Sequence, residues 1–174
     1  MSSDRIRDTD RLLIAIGKVV VQFQFVESVV AEMLASLLQL RQPDDQHRIM
    51  AAMSYKQKVD LLFDLYPSRR VQSWPDIDVG ISRQALYAAE KYRNTVVHSF
   101  WHIGGEESRW MRTKADLRRS NGLRIQSSEV DIESLEVGSQ SIYVIRDWYL
   151  GQTDRIKSAT ETLNAGIKAI TGKK

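Results

Sequence analysis

The sequence predicts an all-α fold: an antiparallel helical bundle of four to five helices, with a small β-hairpin insertion before the last helix. Three observations lead there. Residues 10 to 40 keep a helical period with no proline and only Gly17 as an internal breaker. Segments 54 to 66, 78 to 98 and 132 to 170 repeat that period. At about residues 100 to 128 the texture changes to short β-prone runs separated by turn signals. The 174 residues suit a single domain, spanning 1 to 174, with its own hydrophobic core.

The elements follow in order. RQPDDQ, at 41 to 46, ends the first helix, because proline and paired aspartates favour a turn or a new start. SYKQKVDLLFDLY reads as a shorter amphipathic helix with Ser54 as its N-cap. PSRRVQSWPDID reads as a loop, and the next helix runs from about Asp78 to about His98. FWHI, GGEE and RWMRTK suggest two strands and a turn, with Gly104-Gly105 as a turn signal only. Asn121-Gly122 is a strong hairpin signal when strands flank it. The last helical region is interrupted near Gly151. There is no internal repeat and no low-complexity tract.

Composition excludes several classes of function. With no cysteine there is no disulfide, no thiolate metal site and no cysteine nucleophile, which fits a reducing cytoplasm. The start, MSSDRIRDTDR, lacks the basic-then-apolar order of a signal peptide. The apolar stretch 12 to 40 is interrupted by Lys18, Gln22, Gln24, Glu27 and Glu32, which a membrane span tolerates poorly. The expectation is a soluble, cytoplasmic protein with no membrane partner. No metal constellation and no glycine-rich phosphate loop is visible, so no metal or cofactor is expected.

Charge is uneven. The chain carries a net +3, yet the run from 109 to 124 alone holds six basic residues against Asp116. These are Arg109, Arg112, Lys114, Arg118, Arg119 and Arg124, and they form a candidate RNA-binding patch acting through phosphates. Trp101 and Trp110 interleave with that region. They suit base stacking or the packing of the hairpin on the bundle.

At about 100° per residue, Ala85, Ala89, Tyr92 and Val96 form a narrow core stripe on the helix from Asp78 to His98. Asn94 and His98, with Tyr87, lie nearly opposite, and Arg93 lies between the two faces, long enough to reach them. On the first helix, Glu27 falls in the apolar stripe Phe23, Glu27, Val30, Leu34. A carboxylate there must pair with a cation or lose its charge, and Arg93 is the cation expected. Such a pair would serve the site or only fix helix register. The first helix is apolar around most of its circumference, which hints at a second subunit.

Arg93-Asn94-x-x-x-His98 at a helix C-terminal end, followed by serine and aromatics, resembles the signature of the HEPN superfamily (higher eukaryotes and prokaryotes nucleotide-binding). The order of parts is also similar: a long first helix with an internal glutamate, a short helix, the motif helix and a last helix. The resemblance implies an antiparallel bundle forming a symmetric dimer, with metal-independent ribonuclease activity. The Arg and His of both subunits would meet at the dimer axis. Many members are toxins or defence proteins, some paired with a nucleotidyltransferase-type antitoxin. One subgroup carries a tyrosine two residues after the histidine as the acceptor of nucleotide transfer. Here that position is Phe100, which has no hydroxyl.

The residues suit that chemistry on their own terms. RNA is cleaved without a metal when its 2′-OH attacks the adjacent phosphate. A base takes the 2′-OH proton and an acid protonates the leaving 5′-oxygen, and imidazole suits both tasks. One His98 supplies one role, while two copies across a two-fold axis supply both. Arg93 would stabilise charge on the phosphorane oxygens, and Asn94 would orient His98 or a phosphate. Two other readings stay open. His98 can be a C-terminal helix cap, and the chain can be a non-catalytic HEPN-like module that binds RNA, a nucleotide or a partner protein. His47 and His102 are read as structural or surface residues.

Overall fold

The period through residues 10 to 40 becomes one 35-residue helix, α1 (Ser3–Leu37). The computed structural model describes residues 3–104, 109–118 and 122–172, with side chains described for 7–104, 109–114 and 125–172. The inner stripe of α1 is Leu12, Ala15, Val19, Phe23, Val26, Val30 and Leu34, all buried. That is the spacing of an amphipathic helix. The helix stops where Gln39 enters the left-handed region (φ 55°) and the Leu40 N–H donates to the Ala35 carbonyl at 3.0 Å. Among the described residues, α1 is the one helix long and apolar enough to cross a membrane. In this fold its inner face packs on other helices of the chain.

At Pro43 the chain starts a new helix, α2 (Pro43–Ala52), with proline in its first turn and Asp44 and Asp45 complementing the helix dipole. Ser54 caps α3 (Tyr55–Arg69) as expected, in a full capping box with Gln57. The helix runs on through Pro67, so the first residues of the expected loop complete its last turn. Asp78 caps α4 (Val79–Val97), its carboxylate accepting from the Ile81 N–H at 2.9 Å.

Three antiparallel strands follow in the order β1 (Phe100–Gly104), β2 (Arg109–Arg118) and β3 (Gly122–Glu129). The insertion is therefore a small sheet rather than a single hairpin. β1 pairs with β2 from Phe100 opposite Thr113 to Gly104 opposite Arg109, and β2 with β3 from Met111 opposite Glu129 to Arg118 opposite Gly122. The chain returns through α5 (Ile132–Arg146), a short 3-10 turn at Asp147–Leu150, and α6 (Thr153–Thr171). The break between them falls at Gly151, whose φ of 74° is costly for any residue with a Cβ.

Among the described residues the chain has six α-helices and one three-stranded sheet. α1 packs against α5, α3 and α4, while α4 packs against α6, α5 and α3. Tyr92 of α4 is fully buried, its hydroxyl donating to the Ser134 carbonyl at 3.3 Å. A Cβ at Gly138 of α5 would lie 2.0 Å from that hydroxyl, so only glycine permits this approach. The core stripe expected on α4, Ala85, Ala89, Tyr92 and Val96, is buried throughout. The opposite face of its last turns is thereby turned outward.

Candidate nucleic-acid site at the end of helix α4

Arg93, Asn94 and His98 sit in the last turns of α4 and at its cap. Arg93 is half-buried and its Nη1 donates to the Asn94 Oδ1 at 2.8 Å. Its guanidinium carbon lies 5.4 Å from the centre of the Phe23 ring on α1, a cation–π contact that fixes the side chain's direction. Its Nε is buried and has no hydrogen-bond partner. That atom faces the interior, so the donor left for a ligand is Nη2, which makes no hydrogen bond among the described residues and is not buried. His98 is the C-cap residue of α4, and its backbone N–H donates to the Asn94 carbonyl at 3.1 Å. The residue is exposed, and its imidazole has no hydrogen-bond partner among the described residues. Asn94 thus receives Arg93 by its side chain and His98 by its backbone. Val97 and Phe100, 36% and 69% exposed, flank this surface with apolar groups.

The expected pairing of Glu27 with Arg93 does not form. Glu27 accepts from the Lys58 Nζ of α3 at 2.9 Å. Lys58 is 7% exposed and lies in the buried stripe Tyr55, Lys58, Val59, Leu62, Phe63, Tyr66. The physical reason is the packing of α3 on α1, which brings an odd lysine on one apolar stripe to an odd glutamate on another. Arg93 stays close enough to act on a different acid, Glu90. Burial raises the Glu90 carboxyl, the Arg93 charge opposes that rise, and the Glu27 charge adds to it. Tyr87, expected on the face of Asn94, donates to Asp60 of α3 and so lies under that helix.

The basic run divides sharply. Arg112 is 2% exposed and cannot be the phosphate ligand expected of it. Its Nε donates to Ser99 Oγ at 2.6 Å and to the Thr95 carbonyl at 3.3 Å, and its Nη1 to the Ile170 carbonyl at 3.0 Å. It fastens the sheet to the C-terminal ends of α4 and α6. Burial lowers its pKa, because no carboxylate offsets the lost hydration. Strand alternation turns Arg112 inward, opposite Trp101 in the register. Arg109, on the outer side, is ion-paired with Glu129. Lys114 is exposed. The side chains of Arg118 and Arg124 lie outside the described residues, as does Arg119 altogether.

Of the two uses open to the tryptophans, the structure takes packing. The Trp101 Nε1 donates to the Val96 carbonyl at 3.1 Å, and both rings are half-buried against the core. His47 is exposed on α2. His102 is half-buried, stacked on Phe100 with ring centroids 5.6 Å apart, and its Nδ1 has no partner.

Two lysines that the sequence did not single out complete the surface beside Asn94. Lys91 of α4 and Lys168 of α6 line the same cleft as Asn94 and Lys114. No spacing along the chain points to them, since they come from different helices. Among the described residues no group of three His, Asp or Glu gathers as metal ligands would. No family model, no curated protein and no solved structure matches the chain.

Proposed function

We propose that this protein is an HEPN-type, metal-independent endoribonuclease that works as a symmetric homodimer in the cytoplasm, as a toxin or defence effector. In this reading the helices form an antiparallel bundle with the sheet as an arm. One observation carries the proposal. At the outward end of α4, Asn94 holds a guanidinium whose Nη2 is neither buried nor bonded, four residues before an exposed imidazole with no partner among the described residues. The 2′-OH of RNA attacks the adjacent phosphate, one His98 takes its proton, and the His98 of the second subunit protonates the leaving 5′-oxygen. Arg93 stabilises the charge on the phosphorane. The exposed apolar residues of α1, Leu13, Ile14, Val21 and Phe25, together with Val97 and Phe100, favour a second copy as the cover. A nucleotidyltransferase-type antitoxin is a further partner in this scheme, but Phe100 cannot accept a nucleotide, so its control would use another residue.

The test is incubation of the purified protein with mixed RNA in EDTA. The expected products carry 2′,3′-cyclic phosphate and 5′-hydroxyl ends, with a bell-shaped pH profile from one neutral and one protonated imidazole. RNA left intact by a dimer, over the neutral pH range, would give the chain to the binding-module reading instead.

A further inference from the structure

α4, α6 and β2 meet around a cleft of about 540 Å³, within the roughly 300–1,000 Å³ of ligand-binding clefts. Three lysines line it, one from each element: Lys91, Lys168 and Lys114. Asn94 and Thr171 add side chains that hydrogen-bond, and Glu90 is the one acid in the lining. All three lysines are exposed, and none has an ion-pair partner among the described residues. Lysines near helix ends also complement the helix dipole. That accounts for Lys168, in the last turn of α6, but not for a lysine on a strand turned to the same cleft.

The geometry points to this cleft as the subsite that holds the phosphate backbone of single-stranded RNA next to the Arg93–His98 face. It rests on the reading of that face as an RNA site, and it moves the phosphate contacts off the run expected to carry them. Arg112 is spent on carbonyls and Arg109 is paired, so Lys114 is the described member of that run left for a phosphate. Asn94 belongs to both places: it receives Arg93 and lines the cleft. The strand would therefore run from Lys168 and Lys114 across Asn94 to the scissile phosphate. No aromatic ring lines the cleft, so nothing there stacks a base. Recognition is of backbone charge, and it is tolerant of sequence. The same absence argues against a free nucleotide as occupant.

The experiment measures binding of a fluorescent single-stranded RNA 12-mer by anisotropy, in full-length protein carrying His98→Ala so that the probe survives. Lys91→Gln, Lys114→Gln and Lys168→Gln are combined in one variant. Arg48→Gln, Arg155→Gln and Lys157→Gln, exposed cations elsewhere, form the charge-matched control. All changes are on the surface, and a thermal melt checks that each protein is folded. The cleft variant should bind on the order of 100-fold more weakly at 0.1 M salt, with a salt slope shallower by about 2, at about 0.7 per lost phosphate contact. The control should keep both affinity and slope. Equal losses in the two variants, unchanged binding in the cleft variant, or no RNA binding at all would overturn the proposal. Competition by ADP or inorganic phosphate at micromolar concentration would reassign the cleft to a free nucleotide or phosphate. The enzymatic reading fails separately. Wild-type protein that cleaves nothing, while binding still depends on the three lysines, removes the nuclease and keeps the subsite.

Discussion

Arg93, from the motif at the end of α4, and Arg112, from the basic run at 109 to 124, were both expected to meet phosphate, and the fold uses them in opposite ways. Arg112 is 2% exposed and gives its donors to two carbonyls and a hydroxyl on three neighbouring segments. Arg93 is half-buried, gives Nη1 to Asn94, rests on Phe23 and leaves the unburied Nη2 without a partner among the described residues. A guanidinium whose acceptors are fixed backbone atoms is a fastener, since moving it would orphan all of them. A guanidinium held at one end with donors to spare can meet a charge that develops later. The count of satisfied donors separates the two roles better than the local density of positive charge does.

The largest expected effect tests the Arg93 side of the contrast. His98→Ala should lower the rate of RNA cleavage by on the order of 10² to 10⁴, the usual worth of acid–base catalysis. The melting temperature should hardly move, because the ring is exposed and unpartnered. A mixed dimer with one wild-type and one His98→Ala subunit should be nearly inactive. Half-activity in that dimer would show that each subunit works alone.

Next comes the fastener. Arg112→Ala should destabilise the fold by about 3 kcal/mol, through a cavity and the acceptors left unpaired under the sheet. For a chain of this size that is a fall in melting temperature of roughly 10 °C. An Arg112→Ala protein that melts like wild type but loses RNA binding would make Arg112 a phosphate ligand and not a fastener.

Arg93→Lys should act the other way round. It keeps the charge and loses the planar fork that reaches Asn94, so cleavage should slow on the order of 10-fold while the melt stays near wild type. A large loss of stability with normal kinetics would make Arg93 a second fastener.

The smallest effect concerns pH. Burial, reinforced by the Glu27 charge, raises the Glu90 carboxyl. The folded state therefore holds that proton to higher pH than the unfolded chain does. Stability from this group is present below the ordinary carboxylate range and is lost as pH rises through the raised value. Glu90→Gln should flatten that part of the stability–pH curve in chemical denaturation. An unchanged curve would show that Arg93 already offsets the burial of Glu90.

Much of this molecule was legible from the chain alone, for local reasons. Capping and turn chemistry act over three or four residues, so Ser54, Asp78 and Gly151 marked their boundaries. Helical periodicity put Ala85, Ala89, Tyr92 and Val96 inside and turned His98 outward. Glu27, an odd charge on an apolar stripe, was visible in the same way, whereas Lys58 was not singled out. What the chain could not say was which stripe faces which. The packing of α3 on α1 decided that Glu27 meets Lys58 and left Arg93 to Asn94. Strand alternation, set by a register that forms only when β1 and β2 pair, decided that Arg112 turns inward. Lys91, Lys114 and Lys168 lie far apart along the chain, and only the meeting of α4, β2 and α6 gathers them around one cleft, because long-range contacts depend on packing that no local pattern encodes.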